Sequence, residues 1–316
     1  MNSPSLTKPT AQSTKAFISN PYFVLFVSVI AFSFAAILVR QSMNAGIEPI
    51  MVSAGRLLLA ALMLTPIVWT RYRHDILNVR RITLFGAIFA GIFQGLHFIS
   101  IAFSLENTSV VMNQTLISTS PIFIALLEVL VLKQKFPKWL YVGIFVTIFG
   151  GIIIAFASGA DSASGANPPL GNALALLAAV LAAFYIFAGR VNRRHVSILP
   201  YIWIVYLSGG ITSLIAALLT GTQILGYSAD AYFWLVMTAL VPQMIGHSGM
   251  NYAVGYIPAT ITTLATQIIV LTSGILAFFL FQELPTGHEV IGITVTVSGV
   301  VLALVAQTRS GRKRKT

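Results

Sequence analysis

The stretches "LVLKQKFPKWLYVGIFVTIFGGIIIAF" (130–156) and "FFLFQELPTGHEVIGITVTVSGVVLAL" (278–304) are two versions of one pattern. Each has an apolar run, a short proline-bearing loop, and a second apolar run with two glycines seven residues apart. Gln134 aligns with Glu283, Gly143 with Gly292, and Gly150 with Gly299, all at a shift of 149. Further upstream, Arg40 matches Arg190 at a shift of 150, and Pro49 matches Pro200 at 151. Self-similarity at a fixed offset marks a chain built from repeated units, here two of about 150 residues.

The apolar runs set the class. The 316 residues are 57% hydrophobic and only 9% charged, where soluble domains carry about 25% charged residues. Mean hydropathy is +0.87. A helix needs about 20 mostly apolar residues to cross a bilayer. Ten segments qualify, roughly 22–42, 50–69, 82–104, 109–132, 139–157, 170–189, 200–220, 231–253, 259–281 and 288–307. The expected fold is an all-α integral membrane protein of ten transmembrane helices, arranged as two inverted five-helix repeats. Five is odd, so the second unit enters the bilayer opposite to the first, as in many secondary transporters. The expected units are a disordered cytoplasmic tail (1–19), a first repeat (20–157), an external linker (158–169), a second repeat (170–307) and a basic cytoplasmic tail (308–316). The first apolar run is too long for a signal peptide and reads as a retained span.

Charge tests the count. With both tails in the cytoplasm, the inner segments hold Lys8, Lys15, Arg71, Arg73, Arg80, Arg81, Lys133, Lys135, Lys138, Arg190, Arg193, Arg194 and the tail from Arg309 to Lys315. That leaves only Arg40, ending the first span, and Arg56, inside the second, of 19 basic residues. Glu48, Glu106, Asp161, Asp230, Glu283 and Glu289 fall on the other side. Cytoplasmic loops carry the excess of Lys and Arg, so this places the chain in the cell (inner) membrane with both termini inside. The tail "RSGRKRK" reads as an anchor at anionic lipid rather than a nucleic-acid contact. The absence of cysteine excludes disulfides and thiolate metal sites.

The stretch "SLENTSVVMNQTLISTSPIFIALLEVLVLKQK" (104–135), with "LGNALALLAAVLAAFYIFAGR" (170–190) and "ALVPQMIGHSGMNYAVGYIPATI" (239–261), resembles the EamA-type members of the drug/metabolite transporter superfamily. The resemblance covers nearly the whole chain. It implies export of small metabolites through a cavity lined by spans 1, 3, 4, 6, 8 and 9, with spans 5 and 10 peripheral. Gln134 departs from the pattern, where an acidic residue is common.

Polar side chains within spans are costly and mark candidate sites. Gln94 and His97 on span 3 recur as Gln243 and His247 on span 8. Asn251 extends the second stripe at i, i+4, i+8, one face of an α-helix. Asn113 and Gln114 on span 4 and Gln267 on span 9 are amides that need several partners. The alternative for each is interhelical hydrogen bonding that holds the bundle. Phe32 and Tyr185 are candidate aromatic walls. Arg56 lies about 10 Å into span 2 at 1.5 Å per residue, where it attracts an anion or snorkels. Glu128 on span 4 either pairs locally or carries coupling. His97 and His247 titrate near neutrality when unperturbed and are candidates for moving a coupling proton. No carboxylate or cysteine accompanies them at metal-ligand spacing, and no cofactor is implied. Gly91 and Gly95, with Pro121 and Pro242, are the expected hinge positions.

These features describe a non-enzymatic secondary transporter of a small amphipathic metabolite, such as an amino acid or related compound, for which one chain suffices. A passive channel or facilitator and a lipid-type flippase remain the alternatives. Span 1 has no carboxylate in its middle, which disfavours an obligate cation site.

Overall fold

The computed structural model describes residues 20–133, 137–157, 165–192, 196–253, 256 and 259–313. Among them there is helix and no strand. The helices are α1 (Pro21–Ser33), α2 (Ala35–Asn44), α3 (Pro49–Arg71), α4 (Arg73–Leu77), α5 (Arg81–Asn107), α6 (Val110–Ile117), α7 (Ser120–Leu132), α8 (Lys138–Ala157), α9 (Pro168–Asn192), α10 (Ile198–Leu219), α11 (Ala229–Thr238), α12 (Ser248–Ala253), α13 (Ala259–Phe281) and α14 (Gly287–Lys313). A π-helical segment, Ala239–His247, joins α11 to α12. Among the described residues, seven helical stretches are long and apolar enough to cross a membrane. Large apolar side chains such as Phe145, Leu219 and Phe279 stand exposed on the outside of the bundle, where acyl chains would cover them.

Three of the ten expected segments are interrupted, and each interruption has a local cause. The first segment pauses at Phe34, between α1 and α2. The fourth breaks at Ser118–Thr119, just before Pro121. The expectation of a kink in mid-helix at Pro121 is corrected: the proline sits in the first turn of α7, where its missing N–H costs nothing. The hydroxyls of Ser118, Thr119 and Ser120 donate to the carbonyls of Thr115, Leu116 and Ile117 at 2.7, 2.6 and 2.5 Å. The last of these carbonyls is the one that residue 121 would have capped. In the eighth segment, Pro242 cannot donate to Thr238, and the ladder adopts i→i+5 bonding through Ala239–His247.

Glycines set the closest crossings. A Cβ on Gly95 of α5 would lie 2.5 Å from the Gly209 carbonyl of α10, and one on Gly209 would lie 2.7 Å from the Gly91 carbonyl. Gly91 and Gly95 thus serve close approach of α5 to α10 within an unbroken helix. Gly143 of α8 meets the Gly299 carbonyl of α14 in the same way, at 2.7 Å. The expected peripheral helices therefore pair with each other. Exchanging the two halves maps other contacts onto one another: α5 on α9 with the π-segment on α1, and α6–α7 on α9 with α13 on α1.

Hydrogen bonds between connections group the loops at two ends. At one end the Gln223 N–H donates to Glu48 at 3.0 Å, and the Asn167 N–H to the Asn107 carbonyl at 3.3 Å. At the other, Ser197 donates to Asp75 at 2.9 Å. The basic loop at Arg71–Arg81 lies at this second end.

Replacing Gly95 with valine forces α5 and α10 apart. The expected loss is about 1–3 kcal/mol, read as a lower thermal midpoint and a smaller monodisperse fraction in detergent. Gly151→Ala, which faces open space, leaves both unchanged.

Candidate functional site

The three interruptions converge on one small cavity of about 40 Å³. Its polar and aromatic lining comes from Phe32 of α1, Arg56 of α3, His97 and Phe98 of α5, Gln114 of α6 and His247 of the π-segment. The volume is far below the roughly 300–1,000 Å³ of pockets that enclose drug-sized ligands. In this conformation its own side chains fill most of the chamber.

Arg56 is 2% exposed, and its guanidinium lies over the Phe98 ring with Cζ 3.9 Å from the centroid. Neither Nε nor Nη2 has a hydrogen-bond partner, and among the described residues Arg56 makes no ion pair. Phe98 in turn meets His247 edge-on at 5.4 Å, and Phe32 stacks at a tilt on His247 at 4.3 Å. The result is a row of rings beside one cation. His97 donates Nδ1–H to the Ala178 carbonyl of α9 at 2.7 Å, because a carbonyl can only accept. In the neutral ring this leaves Nε2 as an acceptor.

The other expected site residues lie elsewhere. Gln94 and Gln243 are 2% and 0% exposed but do not line the cavity. Oε1 of Gln94 and both amide atoms of Gln243 have no partner in this conformation. Asn251 turns back on its own helix, donating Nδ2–H to the His247 carbonyl at 2.9 Å. The shared face expected of Gln243, His247 and Asn251 presumed α-helical turns, and the π-segment does not supply them. Asn113 is fully buried and donates to Ser104 at 2.8 Å, which donates to the Gly171 carbonyl at 2.7 Å. It binds α6 to α5 and the start of α9. Tyr185 of α9 packs against His97 with ring centroids 5.8 Å apart, behind the cavity wall. Glu128 is buried on α7, away from the cavity. The side chain of Gln267 lies outside the described residues, as does Gln134. Span 2 contributes Arg56 to the lining, which the family resemblance did not imply; spans 6 and 9 contribute nothing among the described residues.

A second feature went unanticipated. Arg40 at the end of the first span forms an ion pair with Glu283, just after α13. Arg40 also donates Nη2–H to the Leu105 and Thr108 carbonyls at 2.6 and 2.5 Å, and Glu283 accepts the Val110 N–H at 2.9 Å. One ion pair thus satisfies the C-terminus of α5 and the N-terminus of α6. The repeat held the signal: Arg40 and Glu283 align with Arg190 and Gln134, so both members occupy matched positions. On its outer side Arg40 lines an open cleft of about 270 Å³ with Leu105 and Glu106. On its inner side, neighbouring Val39 and Ile101, one turn from Leu105, line the closed cavity. The clamp stands between the two spaces.

The model of the EamA-like transporter family matches this chain twice, over residues 20–156 and 169–305. The chain belongs to the EamA-like transporter family. It is therefore a multi-pass membrane transporter with two copies of the family unit. It is 26% identical to the uncharacterized transporter YdfC of Bacillus subtilis (strain 168) over 76% of each chain. It is 25% identical to the uncharacterized transporter YetK of the same organism, over 69% of this chain and 66% of that one. A solved crystal structure at 15% identity covers 92% of this chain and 98% of its own with a TM-score of 0.62, which shows a shared fold.

The clamp of this EamA-like transporter can be tested on its natural cysteine-free background. Ile101→Cys, facing the closed cavity, should react slowly with a polar maleimide in detergent. Adding Glu283→Gln should raise that rate about tenfold or more. Equal rates would show that the clamp does not close the chamber.

Proposed function

We propose that the protein is a secondary transporter that exports a small amphipathic metabolite, such as an amino acid or related compound, by alternating access. The observation that carries this reading is the small polar and aromatic cavity lying next to an ion-paired clamp. A solute chamber narrowed by side chains suits a carrier that opens one end at a time. A passive channel needs a continuous path, and the ring cluster and the clamp both obstruct one.

In this reading the chain crosses the cell (inner) membrane ten times as two inverted five-helix repeats, with both termini in the cytoplasm. Three features support it: the double family match, the contacts related by exchange of halves, and the Lys/Arg bias of the loops. The units remain those of the sequence: tails at 1–19 and 308–316, repeats at 20–157 and 170–307, and a linker at 158–169. The exporting direction rests on the family resemblance alone. Phe32, His97, Gln114 and His247 contact the solute. Gln94 and Gln243 take partners in another access state, because buried amide atoms left unpaired cost about 1–3 kcal/mol each. The interruptions near Pro121 and Pro242 are where the helices bend.

The decisive measurement is counterflow in proteoliposomes across a panel of amino acids, organic acids, nucleosides, vitamins and amphipathic drugs, with and without a pH gradient. Saturable countertransport is expected. Linear, unsaturable flux would instead establish a channel. For a transported solute, His247→Ala and Gln114→Ala should raise KM about tenfold with near-normal expression. Gln243→Ala should lower turnover more than affinity. A pH gradient that leaves uptake unchanged would remove His97 and His247 as proton carriers.

A further inference from the structure

Resting on the carrier reading for its role in transport, the geometry points to a solute with a single carboxylate, held by Arg56, and an apolar body packed against Phe32, Phe98 and His247. A guanidinium stays protonated under all biological conditions. Burying it in a dry bundle costs several kcal/mol, even after relaxation. The Phe98 face returns only part of that cost. No carboxylate and no carbonyl among the described residues supplies the remainder, since Nε and Nη2 are buried and unpaired. Nε and one terminal nitrogen form the edge of the fork that grips a carboxylate with two parallel bonds. That edge is buried and unpaired in this conformation.

The rest of the lining narrows the class. Among the described residues, the cavity lining holds one fixed cation and no acidic side chain. A monoanion neutralises it, whereas a doubly charged phosphate would bring in an uncompensated charge. An ammonium group would face Arg56 with no carboxylate to offset the repulsion. Gln114 and Nε2 of His97 offer neutral hydrogen bonds only. The ring row beside the guanidinium provides apolar and aromatic faces for the body of the ligand. The lining suits an organic monocarboxylate better than a zwitterionic amino acid, and the space of about 40 Å³ must widen in another access state to admit it.

The test measures thermal midpoints of the purified full-length protein in nanodiscs. The probes are phenylacetate, 4-methylvalerate, phenylacetamide, phenethylamine and phenyl phosphate. Both carboxylates should raise the midpoint by about 3 °C or more at tenfold excess over Kd, with saturation. The amide, the amine and the phosphate should not. Arg56→Met should unfold no earlier than the natural protein and lose the response. If Arg56→Met does not fold, Arg56→Lys decides: a point charge without the fork should weaken carboxylate binding about fivefold or more.

The assignment is overturned if neither carboxylate stabilises the natural protein, if another probe does so equally, if the response survives in Arg56→Met, or if Arg56→Lys binds with unchanged affinity. It is also overturned if Arg56→Met folds but unfolds several degrees earlier, which would make Arg56 a structural cation. Reconstituted samples separate this from the carrier reading. Carboxylate stabilisation without saturable counterflow removes the carrier and keeps the anion site. Saturable flux of an uncharged solute without carboxylate stabilisation does the reverse.

Discussion

Hydrocarbon offers no hydrogen bonds, so every backbone group within the bilayer must find a partner inside the protein. That constraint explains why the described chain is all helix, and it explains where helix can be broken. The break at Ser118–Thr119 is permitted because three consecutive hydroxyls reach back to the carbonyls of Thr115, Leu116 and Ile117. The gap between α5 and α6 is permitted because Arg40 and Glu283 meet the orphaned carbonyls and N–H. Arg56 is the charged group of the cavity lining, and the protein gives it one aromatic face and leaves Nε and Nη2 unpaired. Everything else polar around it is tied to backbone, stacked, or neutral.

The same rule links the cavity to its cover. Arg40 lies next to Val39, which lines the chamber, and Leu105 lies one turn from Ile101, which does so as well. Loss of the ion pair therefore frees the termini of two helices that form the cavity wall. The glycine contacts between α5 and α10 have a contrasting effect. They fix α5 against a partner at backbone distance, so movement of the first span or of α6 past α5 is less constrained than movement of α5 itself.

Much of this was legible beforehand. Apolar runs of the right length located the helices, and the alignment of 130–156 with 278–304 located two units that the family model also finds. Arg56 stood out because a charge inside an apolar run needs a reason. Gln114, His97, His247 and Phe32 were singled out and do meet at the cavity. Phe98 was not, since a phenylalanine in an apolar helix carries no signal until its cationic neighbour is placed. Asn113 was read as a site residue but joins helices, a distinction that depends on Ser104 and Gly171 across a loop. Arg40 and Glu283 are 243 positions apart, and only their matched places in the repeat connected them.

The π-helical segment adds a final consequence. Its partner stretch in α5 is regular α-helix, and His97 follows Gln94 by three residues where His247 follows Gln243 by four, so the second half carries one residue more within the π-segment. One residue added to a regular helix would rotate all that follows by about 100°, and the wider turns absorb it. Gln94 and Gln243 share a place in the sequence count, yet His97 and His247 reach the centre from differently wound helices. A duplicated chain can thus differ by one residue between its copies and still bring corresponding histidines to one cavity. What was copied is the order of residues, while the winding of the backbone that carries them has diverged.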